Sequence, residues 1–287
     1  MPSSRRPRAA RSRSSLRHWR TALVVCAFAA AAAVGVGVAV QLPSAGAGTR
    51  ITDGFVAQPP APTREPSTPS VAPPPAVTPS SPAAPVLTLA GPGPAKGRGS
   101  FAYDDRTSGV LGRSGTLRRY RVAVENGSGE EVRAFGEAVQ RALAGPGSWV
   151  DGGRLRLQRA GADDRYDFTI YLATRDTAGR LCGAGGIDIR VGGVPYTSCR
   201  VPGKVVINLD RWRTSAPHLV DAGMPLDTYR LYVVNHEVGH QLRHRHEGCP
   251  GAGRAAPVMQ QQTLFLKGCR PNPWPYVGGK RYTGPAL

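Results

Sequence analysis

Leu231, Val234, Val238 and Leu242 recur at intervals of three and four, the spacing that lines one face of an α-helix. Asp227 stands where an N-cap would, with Leu226 and Leu231 placed as a hydrophobic staple. The polar residues of this helix are not a uniform solvent face. His236 and His240 point roughly 160° away from the apolar stripe, so one face packs on a core and the other looks into a cleft.

Upstream, the period changes to two. Arg119–Glu125 and Arg154–Arg159 alternate and predict strands. Phe168–Leu172 predicts a more buried strand, and Lys204–Leu209 a further strand directly before the loop into the histidine helix. Glu130–Ala144 predicts an amphipathic helix with acidic residues at its start and Gly145-Pro146-Gly147 as its stop. After Gly248 periodicity fades, and Pro271, Pro273 and Pro275 predict an irregular tail wrapped on the surface.

The N-terminal third reads differently. Residues 1–20 hold seven arginines and no acid, a basic cytoplasmic tail. Residues 21–42 carry no charge and are long enough to span a ~30 Å hydrocarbon layer, so a signal anchor in the cytoplasmic membrane is expected, with the following domain outside. The alternative is a cleaved signal peptide and secretion, for which Ala45-Gly46-Ala47 offers a small-residue cleavage pattern. Residues 43–99 hold fourteen of the 27 prolines and predict a disordered polyproline-rich linker. Residues 100–287 then suffice for one domain with a core of its own.

The chemistry concentrates in His236-Glu237-Val238-Gly239-His240, which with His244 and His246 holds four of the six histidines. Two imidazoles four residues apart on a helix reach one metal ion, and the intervening glutamate stands beside that ion as a base. A catalytic zinc usually takes a third protein ligand. No acidic residue follows Glu247, which leaves His244, His246, Glu247 or a group upstream. His244 on a continuing helix lies about 12 Å along the axis from His236, too far to share an ion. His246 is suitable only if the helix stops just after His240 and the chain turns back.

This pattern resembles the metzincin zinc peptidases, H-E-x-x-H-x-x-G-x-x-H followed by a methionine-bearing turn. His236, Glu237, His240 and His246 match, and Pro257-Val258-Met259-Gln260 stands as the Met-turn. Arg243 replaces the turn glycine, so either Arg243 takes a left-handed backbone or the helix ends differently. Gln261 occupies the position where some metzincins carry a metal-reaching tyrosine. The stretches N-H-E-V-G-H-Q-L, H-E-G-C-P-G-A-G and A-P-V-M-Q-Q-Q-T are similar to a family of exported proteins of unknown function from high-GC Gram-positive bacteria, itself similar to metzincins. The resemblance covers residues 100–287. It implies an α+β zincin domain with a mixed twisted sheet, a zinc-binding helix and a Met-turn. It further implies Zn²⁺ on His236, His240 and His246, Glu237 as general base, and Met259 as the floor of the site.

Cys182, Cys199, Cys249 and Cys269 all fall in the domain, an even set suited to an oxidising compartment. The expected pairs are Cys182–Cys199, stapling a loop or hairpin, and Cys249–Cys269, tying the segment after His246 to the segment after Met259. Thiolate metal binding is the alternative, but the close cysteine pairs of structural zinc sites are missing. Residues 100–287 carry 26 Lys and Arg against 17 Asp and Glu. With no nucleic-acid motif present, affinity for anionic wall polymers is the partner expectation this charge supports, and nucleic acid is not expected.

The function expected is zinc-dependent hydrolysis of peptide bonds, in protein or in cell-wall peptides, outside the membrane. The alternative is a zinc-stabilised module that binds wall or surface polymers without cleaving, which gives no reason for Glu237.

Overall fold

A computed structural model describes residues 84–287. The basic tail, the apolar segment 21–42, the cleavage-site pattern and the linker up to residue 83 lie outside the described residues. Among the described residues no helix is long and apolar enough to cross a membrane.

The fold is α+β around a mixed six-stranded sheet. In chain order the elements begin with β1 (Phe101–Tyr103), β2 (Thr116–Glu125), α1 (Val132–Ala144) and a 3-10 turn at Trp149–Gly152. Then come β3 (Leu155–Arg159), β4 (Phe168–Ala173), α2 (Arg175–Ala184), and a small hairpin of β5 (Arg190–Val191) and β6 (Val194–Pro195). Next are β7 (Cys199–Val201), β8 (Lys204–Asn208), α3 (Leu209–Thr214), α4 (Pro217–Asp221) and α5 (Leu226–Gln241). A second hairpin, β9 (Tyr276–Val277) and β10 (Lys280–Arg281), lies near the end.

Strand β2 pairs in parallel with β3 and β4, and β4 in parallel with β8. β1 joins β2 antiparallel, and β7 joins β8 antiparallel as the far edge. Parallel strands buried on both faces need apolar residues on both, which is why β4 and β8 lack clean alternation. Ile170, Leu172, Val205 and Ile207 enter the larger core with α1 and α5. Val206 and Ala173 point the other way, into a smaller cluster with Ala178 of α2.

The four strands and two long helices that the sequence pattern marks fall where expected, whereas β1, α2, β5, β6, β7, β9 and β10 carry no such mark, and three further differences appear. The connection from β8 to the histidine helix is built of two short helices, α3 and α4, in place of a loop. Asn208 starts the first by accepting from Asp210 N–H, and Pro217 opens the second. Asp227 is not the N-cap of α5, since the cap position is Pro225. Instead the Val86 carbonyl accepts from Leu226 N–H at 2.8 Å, while Asp227 pairs with Arg230 in the first turn. Thirdly, α5 is not a one-sided helix: every residue from Tyr232 to Gly239 is buried.

The linker boundary also moves. Residues 86–99, which composition assigns to the linker, run along the domain as a strap. Leu89 N–H donates to Arg213 C=O, Asp176 N–H to Ala95 C=O, and Arg98 N–H to Asn126 C=O, each at 2.9–3.1 Å. The proline-rich composition misleads because a polyproline-like segment carries no internal hydrogen bonds and readily lends its carbonyls to a neighbour.

The strap's main anchor is Glu125, 1% exposed at the end of β2. Its carboxylate accepts from Gly99 N–H (2.9 Å), Thr174 N–H and Oγ1 (both 2.8 Å) and Thr177 Oγ1 (2.7 Å). Burial pushes this carboxyl up, but the hydrogen bonds outweigh it and hold the group below the usual glutamate range. A depressed folded-state value contributes stability that is present above the unfolded carboxyl value near ~4.3 and is lost as pH falls through the folded value. Glu125→Gln is therefore expected to destabilise the fold at pH 7 by about 1.5–3 kcal/mol and to weaken its acid sensitivity below pH ~4. Urea midpoints of the two proteins across that range check this, and wild-type midpoints in the variant at both pH extremes would refute it.

Candidate metal centre

α5 brings His236 and His240 to one side, and the chain beyond its end brings the third imidazole. The helix ends at Gln241, with Leu242 as its cap. Arg243 stands at φ 75°, in the left-handed region. His244 N–H donates to Gly239 C=O at 2.9 Å and Arg243 N–H to His240 C=O at 3.0 Å. That pair of bonds is the Schellman closure, with arginine at the position where glycine costs least. Of the two alternatives open from sequence, Arg243 thus adopts the strained one, at roughly 1 kcal/mol. The chain reverses, and His246 Nε2 comes to 3.0 Å from His240 Nε2.

Potential ligand atoms of His236, His240 and His246 all lie within 4.8 Å of one another. His236 Nδ1 lies 2.8 Å from Val258 C=O and His240 Nδ1 2.9 Å from His244 C=O. A carbonyl only accepts, so each Nδ1 carries the proton and each Nε2 keeps a free lone pair. Burial, then the neighbouring imidazole of His240, pushes His236 down to about 3, and burial also lowers His240 and His246. All three rings are therefore neutral near pH 7, the form that ligates. Two imidazole nitrogens on a tetrahedral zinc stand roughly 3.3 Å apart, so the donor set fits such an ion.

Glu237 is 5% exposed and faces the same cavity. Burial pushes its carboxyl up to about 8. A dication beside it draws that value back down. His244, set aside as a ligand on distance, stacks on Trp149 with ring centroids 4.3 Å apart. Glu247, left open from sequence, turns to Arg281 at 2.8 Å.

The turn Pro257–Gln260, which packs against α5, is closed by Gln260 N–H donating to Pro257 C=O at 2.9 Å. Met259 is fully buried, and its sulfur lies against α5 at Gly239. A Cβ on Gly239 would sit 2.4 Å from that sulfur and 2.7 Å from Trp149 Cζ2. The central glycine of the histidine motif is thus a packing requirement of the turn below it.

His246 is held on both sides. Glu247 N–H donates to Met259 C=O at 3.1 Å, Gly248 N–H to Pro285 C=O at 2.7 Å, and Leu287 N–H to His246 C=O at 3.2 Å. Both expected disulfides are present. Cys249–Cys269 ties the segment after His246 to the one after Met259, and Cys182–Cys199 ties α2 to β7.

The irregular region after Gly248 is not merely a surface wrap, since Ala256–Gln260, Asn272 and Pro273 are buried. It is organised by side-chain amides that no periodicity marks. Gln262 Nε2 donates to Pro257 and Asn272 carbonyls, and Asn272 Nδ2 to Ala256 and Trp274 carbonyls. Asn235, beside the first ligand, donates to Ala142 and Pro273 carbonyls, joining the end of α1 to the tail. The available signal was the run of Gln and Asn in a stretch poor in charge.

The cavity over these groups has a volume of about 370 Å³. It is bordered by the edge strand β7 through Cys199 and Arg200, and by Tyr232, Arg243 and Thr263.

A family model, Protein of unknown function (DUF3152), matches residues 88–277, and the chain belongs to that family. The match begins within the strap, in keeping with its packing on the domain. No curated protein and no solved structure matches the chain.

Two outcomes are expected. The purified full-length chain should carry about one zinc per molecule, with His246→Ala losing or greatly weakening it by metal analysis. Equal zinc in both proteins would mean that the 3.0 Å His240–His246 approach is a plain hydrogen bond. Gly239→Ala should lower stability by about 1–3 kcal/mol in urea unfolding through overpacking against Met259 and Trp149, and an unchanged midpoint would contradict the contact.

Proposed function

We propose that this member of the DUF3152 family is a metzincin-like zinc metallopeptidase acting outside the cytoplasmic membrane. The observation that carries the reading is the convergence of three neutral imidazoles on one point beside Glu237, above a methionine turn, at the edge of a mixed sheet. A purely structural metal site gives no reason for an acid buried against the ligands and open to the cavity.

His236, His240 and His246 would hold the zinc, which when bound would supply Lewis acidity toward a peptide carbonyl and lower the pKa of water toward ~7. Glu237 takes the proton of the attacking water and passes it to the leaving amine nitrogen. Its buried position keeps competing hydrogen bonds away from that carboxylate. Val258 and His244 carbonyls orient the first two imidazoles. The outer edge of β7 offers backbone groups along which an extended peptide can add as a further strand. Two disulfides favour an oxidising location, and the uncharged segment 21–42 would tether the domain to the membrane.

Glu237→Gln should retain zinc and lose at least about 100-fold in peptide hydrolysis, read by a quenched-fluorescent peptide mixture and metal analysis together. Wild-type rates in that variant would remove Glu237 as the base. Zinc binding with no hydrolysis of any peptide by the wild type would move the function to a non-catalytic binding module.

A further inference from the structure

Beside the cavity over the three imidazoles, at the end of α5, lies a second, polar groove of about 330 Å³. Arg200 and Arg243 line both spaces and form their junction. Neither enters an ion pair among the described residues. Of the acids that line the two spaces, Asp167 and Asp188 are already matched, and Glu237 is buried beside the imidazoles. Asp167 accepts from Arg118 at 3.0 Å and from Arg119 N–H at 2.7 Å. Asp188, on the opposite rim, is closed by both arms of Arg190 at 2.9 Å. The groove therefore presents two uncompensated guanidinium groups.

Their placement is specific. Cys199 and Val201 of β7 are buried, so Arg200 between them faces away from that core. Gln241 Oε1 accepts from Arg200 Nε at 2.9 Å, fixing the guanidinium at the end of α5. Arg243 occupies a left-handed backbone that glycine would adopt at lower cost, and it lines both spaces. A peptide lying along the edge of β7 would bring its side chains to both groups. Planar guanidinium forks match carboxylates.

We propose that the cleft selects acidic peptide segments, with Arg200 and Arg243 gripping Asp or Glu carboxylates of the substrate on the side that runs over the end of α5. The proposal rests on the peptidase reading and names the substrate class of that site.

The test uses the full-length chain and two labelled extended peptides, identical except that one carries glutamates where the other carries glutamines. Binding is read by fluorescence anisotropy on the Glu237→Gln protein, and hydrolysis on the chain with Glu237 intact. The glutamate peptide should bind about tenfold tighter at low salt, with the advantage shrinking as salt rises. Arg200→Met and Arg243→Gly, each added to both proteins, should collapse that ratio, and the hydrolytic preference should fall through KM more than kcat. Arg243→Gly suits the turn, so its loss of selectivity is not a folding defect. Equal binding of the two peptides, or a preference that survives both substitutions, overturns the proposal. Hydrolysis with no acidic preference overturns it while leaving the peptidase reading intact. Acid-selective binding without hydrolysis by the chain with Glu237 intact does the reverse. Tighter binding of a glycerol-phosphate polymer than of the glutamate peptide would assign the groove to anionic polymers and overturn it as well.

Discussion

The convergence of His236, His240 and His246 depends on a reversal of the chain completed between Gln241 and Arg243. A helix rises about 1.5 Å per residue, so the helix that presents His236 and His240 carries any later residue away from them. Only a stop and a return bring His246 Nε2 to 3.0 Å from His240 Nε2. The reversal uses a left-handed residue, and the residue there is arginine. Its conformational cost is offset by the two closing hydrogen bonds at the helix end and by the bonds that hold His246–Gly248 to Met259 on one side and to Pro285–Leu287 on the other.

The same constraint explains the irregular half of the domain. A turn that must sit directly beneath a buried helix cannot send its backbone polar groups to water. Gln260, Gln262, Asn272 and Asn235 supply the partners from their side chains. Val258 serves twice, packing in the core and orienting His236 through its carbonyl. Gly239 completes the fit because a β-carbon would collide with Met259. The three imidazoles, the turn and the helix therefore form one packed unit in which the His236 and His240 rings are held by backbone carbonyls.

The cleft is framed as firmly on its other side. β7 is a three-residue edge strand, and the Cys182–Cys199 bond ties it to α2. Edge strands left flat and open invite pairing with other chains. This one is only three residues long and is bordered by a groove lined by Arg118, Arg200 and Arg243. At the opposite end of the sheet the strap is clamped by Glu125, and its Val86 carbonyl accepts from Leu226 N–H at the start of α5.

The sequence by itself determined β2, β3, β4, β8, α1 and α5, the ligand candidates His236 and His240, the methionine turn and the cysteine partners. These are legible because they rest on period, spacing and chain proximity, all local properties. Tertiary structure decided the rest. It settled which backbone Arg243 adopts, since that hangs on long-range support for the returning segment. It replaced Asp227 with Val86 as the cap of α5 and drew residues 86–99 out of the linker, because a backbone carbonyl leaves no trace in composition. It buried α5 all round, where local period showed one apolar stripe, because the second face is covered by residues from distant turns. It also set Arg200 and Arg243 at one junction, 43 positions apart in the chain, where no sequence pattern could have paired them.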